Sequence, residues 1–399
     1  MKRIFDGLRV IDCASFIAAP AAATILSDFG ADVIKIEPPS GDAFRQTWLA
    51  SGQIESDANY PWIMDSRNKR SLALDLAGEA GRAILRRLVV GADVFITNYP
   101  APVRRKLGFD YDTIAPMNPR LVYASFTGYG ERGAEAEKPA FDTTAWWARS
   151  GLMGTVVSDG AAPPARSVGG MGDHPTSLAV LSGVLMALYR RLMTGEGALV
   201  TTSLLANGLW ANGFQAQAAL CGAKFHPRPP REKSANALGA SYRCGDGRWL
   251  ILAIHNEERQ WPELARCLDR ADLLDDTRFA TRDDRLANAP ALVAELDRAF
   301  AARERAHWRE LLTARGVLFD IVALPDDIPG DRQLHDNDML VRFADSDLLT
   351  VNSPFSISGE TKTPPRSAPA IGQHTDEVLR ELGCDAAEIA RLRAGGVVA

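Results

Sequence analysis

The sequence predicts an α/β protein, and three observations carry the prediction. Short apolar runs alternate with helical stretches over the first third of the chain. Glycine and proline breaks separate them, as crossover connections between parallel strands require. The composition, 46% hydrophobic and 24% charged over 399 residues, suits a globular chain that buries a large core.

Taken in order, Leu8–Asp12 reads as a short buried strand and Ala19–Phe29 as a helix closed by Gly30. Val33–Ile36 is a second strand, ended by Pro38-Pro39-Ser40-Gly41. Strand Ser71–Leu76, helix Gly78–Val90 and strands Asp93–Thr97 and Leu121–Phe126 continue the alternation. No Gly-x-Gly-x-x-Gly follows the first strand, which argues against a nicotinamide or flavin dinucleotide. After Gly151 a Pro/Gly/Ala-rich loop leads to two long helical segments, Pro175–Met193 and Thr201–Leu220, joined by Thr194-Gly195-Glu196-Gly197. The first is apolar nearly all round before Tyr189, the pattern of a buried helix. Lys224–Lys233, rich in proline and basic residues, reads as a linker. A different texture begins near Asn236, with a strand at Trp249–Ile254 and charged amphipathic helices over Glu257–Arg270, Ala289–Ala302 and Ala306–Arg315. A strand near Phe319–Ala323 and an extended Leu349–Ile357 lead back to helical Asp376–Leu382 and Ala386–Ala394.

Charge and cysteine usage exclude several classes. A net charge of −5 argues against nucleic acid or an anionic membrane as a general partner. The five cysteines are scattered without a CxxC, which speaks for free thiols and against a disulfide framework or a zinc site. Lys2, Arg3 and the run Ala18–Ile25 imitate a signal peptide, but Asp6, Arg9 and Asp12 interrupt any apolar core. Leu178–Leu188 is too short to span a bilayer and runs into Arg190 and Arg191. The expected location is the cytoplasm.

Asp173 is the candidate for chemistry. It lies in Gly169-Gly170-Met171-Gly172-Asp173-His174-Pro175-Thr176, directly before the apolar helix. Glycines allow a sharp turn and leave room for a large ligand, and Pro175 suits a first helical turn. A helix start collects partial positive charge, so the ionised carboxylate is expected there. An exposed, ionised Asp without metal-ligand neighbours suggests a covalent nucleophile. The plain alternative is an Asp that caps a helix.

Several separated segments resemble the family III coenzyme A transferases, the group that contains formyl-CoA transferase and carnitine CoA transferase. They are Phe29-Gly30-Ala31-Asp32-Val33-Ile34-Lys35-Ile36-Glu37, Asn68-Lys69-Arg70-Ser71, Ala92-Asp93-Val94-Phe95-Ile96-Thr97-Asn98-Tyr99, Gly172-Asp173, Thr194-Gly195-Glu196-Gly197 and Gly372-Gln373-His374-Thr375. The resemblance implies an α/β fold with a Rossmann-like large domain built from both chain ends, a smaller α+β middle domain, and an interlocked homodimer. On that basis 1–222 is the first part of the large domain and 223–235 a linker. The small domain then covers 236–325, and 326–399 return to the large domain.

It also implies the chemistry. Acyl-CoA and carboxylic acid would be the substrates, with no metal and no permanently bound cofactor. Asp173 would carry the acyl group as an anhydride and then CoA as a thioester. Backbone N–H groups around Gly172 would stabilise the oxyanions. Position by position, Phe16, Ile17 and Ala18 would face the thioester, and Asn98 and Tyr99 would follow the pantetheine arm. Lys106 would meet the phosphates, though apart from the resemblance it reads more readily, with Arg104 and Arg105, as a solvated basic helix face. Leu74 and Asp75 would lie near the adenine, and Phe141 beside the acyl group. Adjacent His174 reads as a capping or packing residue, and His374 as part of a helix start.

Three departures from the family pattern stand out. Ile17 replaces a glutamine of formyl-CoA transferase, which implies a less polar acyl pocket than one built for oxalate. Pro38 replaces a CoA-contacting arginine. A run of glycines that guards the family's active site has only a faint counterpart in Leu238-Gly239-Ala240-Ser241. Trp146 and Trp147, with Tyr60 and Trp62, are either core residues or walls of an acyl pocket for a bulky group. An α-methylacyl-CoA racemase shares the fold but carries Gly-His-Asp where this chain has Ala140-Phe141-Asp142, and phenylalanine cannot carry a proton. An intramolecular CoA transfer and a non-catalytic CoA-binding protein complete the alternatives.

Overall fold

Six strands, β1 (Arg9–Asp12), β2 (Asp32–Glu37), β3 (Arg70–Ala73), β4 (Val94–Thr97), β5 (Val122–Thr127) and β6 (Ala198–Ser203), form one sheet in the order β3-β2-β1-β4-β5-β6. Every pairing in it is parallel. The structure is a computed structural model and describes residues 2–50 and 54–399. The chain divides into two compact units, one of 1–155, 166–222 and 332–399, the other of 156–165 and 223–331.

In the first unit the period of two along each strand sorts side chains onto two faces. Val10, Val33, Val94, Ile96, Val122 and Ala124 pack with helices α1 (Ala18–Asp28) and α3 (Asp173–Thr194). Ile11, Ile34, Phe95, Leu72 and Tyr123 pack on the opposite face with α2 (Glu79–Val90), α4 (Thr375–Glu381) and α5 (Ala386–Ala394). Every residue of α1 is buried, and its alanines let it lie close against its neighbours. The C-terminus completes the sheet's surroundings: Leu74 forms a bridge with Val398, and the Asp75 N–H donates to Val397 at 2.8 Å.

The second unit holds an antiparallel sheet of β7 (Ser241–Arg243), β8 (Trp249–Leu252) and β9 (Phe319–Ile321). Helices Glu257–Cys267, Ala289–Phe300 and Arg305–Ala314 enclose its own core around Tyr242, Trp261, Phe279 and Trp308. Leu238 and Ala240 are buried in that core.

Two expectations are corrected. The predicted helix Thr201–Leu220 is a strand followed by two helices: Thr201–Ser203 end β6, and Leu204–Ala211 and Gly213–Leu220 are separated at Asn212. β-Branched Val200, Thr201 and Thr202 suit an edge strand with one face exposed, which local helical pattern obscured. Helix α3 is apolar all round yet buries only one side, through Thr176, Val180, Leu181, Val184 and Ala187. Leu185, Met186, Tyr189, Leu192 and Met193 stay exposed on this chain. At 22 residues α3 is long and apolar enough to cross a membrane by length and composition, whereas the sequence run alone looked too short. Its inner face nevertheless packs as a core helix.

A buried polar scaffold ties the strand ends together. Lys35 of β2 forms an ion pair with Asp42 at 2.6 Å and donates to the carbonyl of Ala14. Asp42 also accepts from the Ser15 hydroxyl. Burial opposes the Lys35 charge, but Asp12 and Asp42 outweigh it and hold its pKa above the usual lysine value. Lys69 pairs with Asp12 at 2.8 Å and donates to the carbonyls of Pro20 and Asp65. Glu37 accepts from Arg45 and from Ser71, whose hydroxyl in turn accepts the Gly372 N–H at 2.9 Å. Replacing Lys35 with Met leaves the buried Asp42 carboxylate unpaired. Lys35→Met is therefore expected to lose about 3–5 kcal/mol of stability in urea unfolding. A loss below 1 kcal/mol would mean that the pair is dispensable.

Candidate active site

The strand order reverses between β1 and β4, and in such sheets ligands bind beyond the carboxyl ends of the strands at that point. The residues that leave β1 and β4 are laced together there. The Ser15 N–H donates to Asn98 Oδ1 at 2.9 Å, and Asn98 Nδ2 donates to the Ser15 carbonyl at 2.7 Å. Over this junction opens a cavity of about 760 Å³. Phe16, Ile17 and Ala18 line it from β1, the Ser40–Ala43 turn from β2, and Asn98 and Tyr99 from β4. Phe126, Thr127 and Gly128 line it from β5, with Lys138, Phe141, Leu204 and Asp173 completing the wall.

Asp173 is the first residue of α3; the N-cap is Gly172, and the helix has no side-chain cap. The carboxylate is thus turned to the cavity rather than spent on capping. One backbone conformation and two contacts fix the turn before it. Gly170 adopts φ +77°, a left-handed conformation suited to glycine. A Cβ on Gly172 would stand 2.6 Å from the Trp146 ring, so only glycine fits beneath that indole. Asp142, itself buried, accepts the Gly172 N–H at 3.1 Å. Helix α1 also starts at the cavity, at Ala18, with no side-chain cap and no acid in its first turn. Such an end favours a bound anion.

The expectation of an exposed, ionised Asp173 is corrected. Burial, then the nearby charge of Asp142, pushes its pKa from 3.8 up to about 7, while His174 works in the opposite direction. Desolvation outweighs the helix-start field at this position. His174 turns away from the cavity and meets Asp65 at 3.1 Å. Burial alone would depress its pKa, but Asp65 and Asp173 raise it. His374 accepts the Ser71 N–H at 3.2 Å and precedes α4.

Of the residues singled out in the sequence, Phe16, Ile17, Ala18, Asn98, Tyr99, Phe141 and Asp173 come together around the cavity, and Gly172 lies directly behind it. Leu74, Asp75 and Lys106 do not line it. Leu74 is buried beside Val398, and Lys106 is exposed on helix Ala101–Leu107. Arg104 is no solvated cation: it is buried against Ser125 and Glu131. Trp146 and Trp147 are core residues, and Trp62 lies under the Arg45 guanidinium at 3.8 Å. Sequence reasoning missed Lys138, Gln46 and the Ser40–Ala43 turn. The switch-point rule applied to the end of β2 would have found that turn.

The raised pKa makes a prediction about stability. In the unfolded chain Asp173 ionises near 3.8, and in the fold near 7, so folding favours the protonated form. Stability is lost as pH rises between these values, and the full cost is present above 7. Asp173→Asn is therefore expected to unfold at higher temperature than the parent at pH 8, with a smaller gap at pH 5. An equal gap at both values would mean that the carboxyl titrates normally.

The family model described as CoA-transferase family III matches residues 5–375. The (R)-2-hydroxy-4-methylpentanoate CoA-transferase of Clostridioides difficile is 32% identical over 402 residues, covering 99% of this chain and 99% of that protein. The cinnamoyl-CoA:phenyllactate CoA-transferase of Clostridium sporogenes is 31% identical over 395 residues, covering 98% and 96%. Among solved structures, a CAIB/BAIF family protein from Brucella suis matches with a TM-score of 0.86 at 28% identity, covering 96% of this chain and 100% of that one. With the family model spanning nearly the whole chain, the protein belongs to CoA-transferase family III.

Proposed function

We propose that the protein moves coenzyme A from an acyl-CoA donor to a carboxylic acid through covalent intermediates on Asp173. The observation that carries this reading is a carboxylate, uncapped at a helix start, facing a large cavity at the switch point of the sheet. A carboxylate oxygen of Asp173 attacks the acyl carbonyl carbon, the C–S bond breaks, and CoA leaves as thiolate with a mixed anhydride in place. The thiolate attacks Cγ of Asp173 and expels the donor acid as carboxylate, giving an aspartyl-CoA thioester. The acceptor carboxylate attacks Cγ and releases the thiolate again. Attack of that thiolate on the acceptor's acyl carbon yields the new acyl-CoA and frees Asp173. Protons need not move, which agrees with a cavity lining that includes no histidine among the described residues. Phe141, where the racemase pattern has a histidine, disfavours a racemase, which needs an acid/base on each face of the substrate.

Each tetrahedral centre develops an oxyanion beside the start of α1, whose field supports it. Lys138, which lines the cavity, is the candidate partner for the CoA phosphates in place of the arginine that Pro38 supplants. The exposed apolar side chains of α3, with Trp210 and Phe214 at 87% and 86% exposure, support a homodimer built on this surface. The relatives' acids, a branched and an aromatic 2-hydroxy acid, set the range of acceptors to test first.

Incubation with acyl-CoA and hydroxylamine is expected to convert Asp173 to its hydroxamate, read by peptide mass spectrometry. Asp173→Ala is expected to abolish exchange while the protein stays folded by circular dichroism; retained turnover in that variant refutes the mechanism. Because only the carboxylate attacks, the acylation rate constant is expected to rise through about pH 7 and then level off. Trp210→Glu combined with Phe214→Glu is expected to shift the protein toward monomer in light scattering.

A further inference from the structure

We propose that the acyl group handled at Asp173 is that of a monocarboxylic acid with an apolar side chain, aromatic or branched, held against the wall that the paired rings of Phe16 and Phe141 form. The inference rests on the CoA-transfer reading and narrows it to a substrate class. The reaction is symmetric about the aspartyl-CoA thioester, so donor acyl group and acceptor acid occupy the same pocket in turn.

Two observations carry it independently. The first is the aromatic wall. Phe16 has φ +63°, a left-handed conformation that is unusual for a bulky residue. Its ring lines the cavity, edge-on to Phe141 at 5.6 Å and 82°, and tilted toward Phe44 at 6.2 Å. Phe141 keeps 60% of its surface exposed, although it lines a cavity at the centre of the unit's chemistry. A strained backbone that holds a large apolar ring out of the core is the kind of outlier that marks a binding wall. Ile17 and Leu204 extend the apolar lining on either side of the same cavity.

The second is the charge inventory. The charged residues that line the cavity are Asp42, Glu137, Lys138 and Asp173. Asp42 is committed to Lys35 and Ser15. The Lys138 ammonium is bound by Glu135 at 2.8 Å and lies 4.9 Å from the centre of the Tyr129 ring. What remains of its charge serves the CoA phosphates in the reading above. Among the described residues a second carboxylate on the substrate would thus find no cationic side chain beyond Lys138, and the start of α1 serves the reacting oxyanion in the reading above; a buried unpaired charge is strongly disfavoured.

Rapid-quench mass spectrometry of the covalent CoA adduct, formed by the full-length protein with a single acyl-CoA, tests this directly. The probes are 3-phenylpropanoyl-CoA, 4-methylpentanoyl-CoA, acetyl-CoA and succinyl-CoA. The first two are expected to acylate at least 10-fold faster than succinyl-CoA at equal subsaturating concentration. Phe141→Ala, whose exposed side chain is not needed for folding, is expected to shrink the ratio of 3-phenylpropanoyl-CoA to acetyl-CoA. Ile17→Arg is expected to raise succinyl-CoA relative to the others. Succinyl-CoA reacting as fast as the apolar thioesters, or a ratio unchanged in Phe141→Ala, overturns the substrate class but leaves CoA transfer standing. Failure of all four thioesters to form an adduct that depends on Asp173 overturns the CoA-transfer reading instead.

Discussion

A single ion pair out of reach of solvent, Lys35 with Asp42, carries the architecture of the cleft. Lys35 reaches from β2 to the carbonyl that ends β1, and Asp42 holds the hydroxyl of Ser15 one residue further on. Ser15 is locked to Asn98 at the end of β4 by two hydrogen bonds. Three strand ends are therefore set in one geometry by a buried ion pair and the half-buried hydrogen bonds that extend it. Buried pairs of this kind add little net stability compared with apolar packing. Here the pair fixes which way the β1 loop leaves the sheet, and so where Phe16 and Ile17 stand. Glu37 plays a parallel part at the next level, joining Arg45, Ser71 and, through Ser71, Gly372.

The candidate nucleophile lives under two opposed influences. The start of α3 favours negative charge, while partial burial and the carboxylate of Asp142 disfavour it. The balance brings the group close to neutrality, where a weakly solvated carboxylate is both available and reactive. Asp142 is thus used twice, since the oxygen that accepts the Gly172 N–H belongs to the group whose charge acts on Asp173. The Trp146 indole closes the other side of the same turn. Aim and reactivity of one side chain are set by neighbours that need not touch substrate.

Much of this was legible in the residues. The short apolar runs and the glycine and proline breaks located five of the six parallel strands, and the glycine turn singled out Asp173. The missed strand, Ala198–Ser203, lies at the sheet edge and owes its existence to pairing with β5, a partner distant in sequence. The protonation of Asp173 was misjudged because local pattern conveys helix position but not desolvation. Arg104 was misplaced for the same reason: its neighbours in sequence are exposed, whereas its partners Ser125 and Glu131 arrive from another strand and loop. Trp146 and Trp147 sit next to a cavity-lining residue in sequence, yet the local backbone turns them into the core.

One arrangement described above bears on how the polypeptide is made. Leu74, near the end of β3, meets Val398 at the far end of the chain, and α4 and α5 cover Leu72 and Ile84 on that face. A ribosome delivers residues from the N-terminus onward. The part of the sheet's underside that α4 and α5 cover therefore stays bare until those helices have been made, although α2 covers its share of that face early, while 223–331 emerge as an unbroken stretch that holds most of its own core. Nascent chains of this protein carry an open hydrophobic surface until Thr375–Ala394 have emerged, and a stop before Thr375 leaves it permanently uncovered.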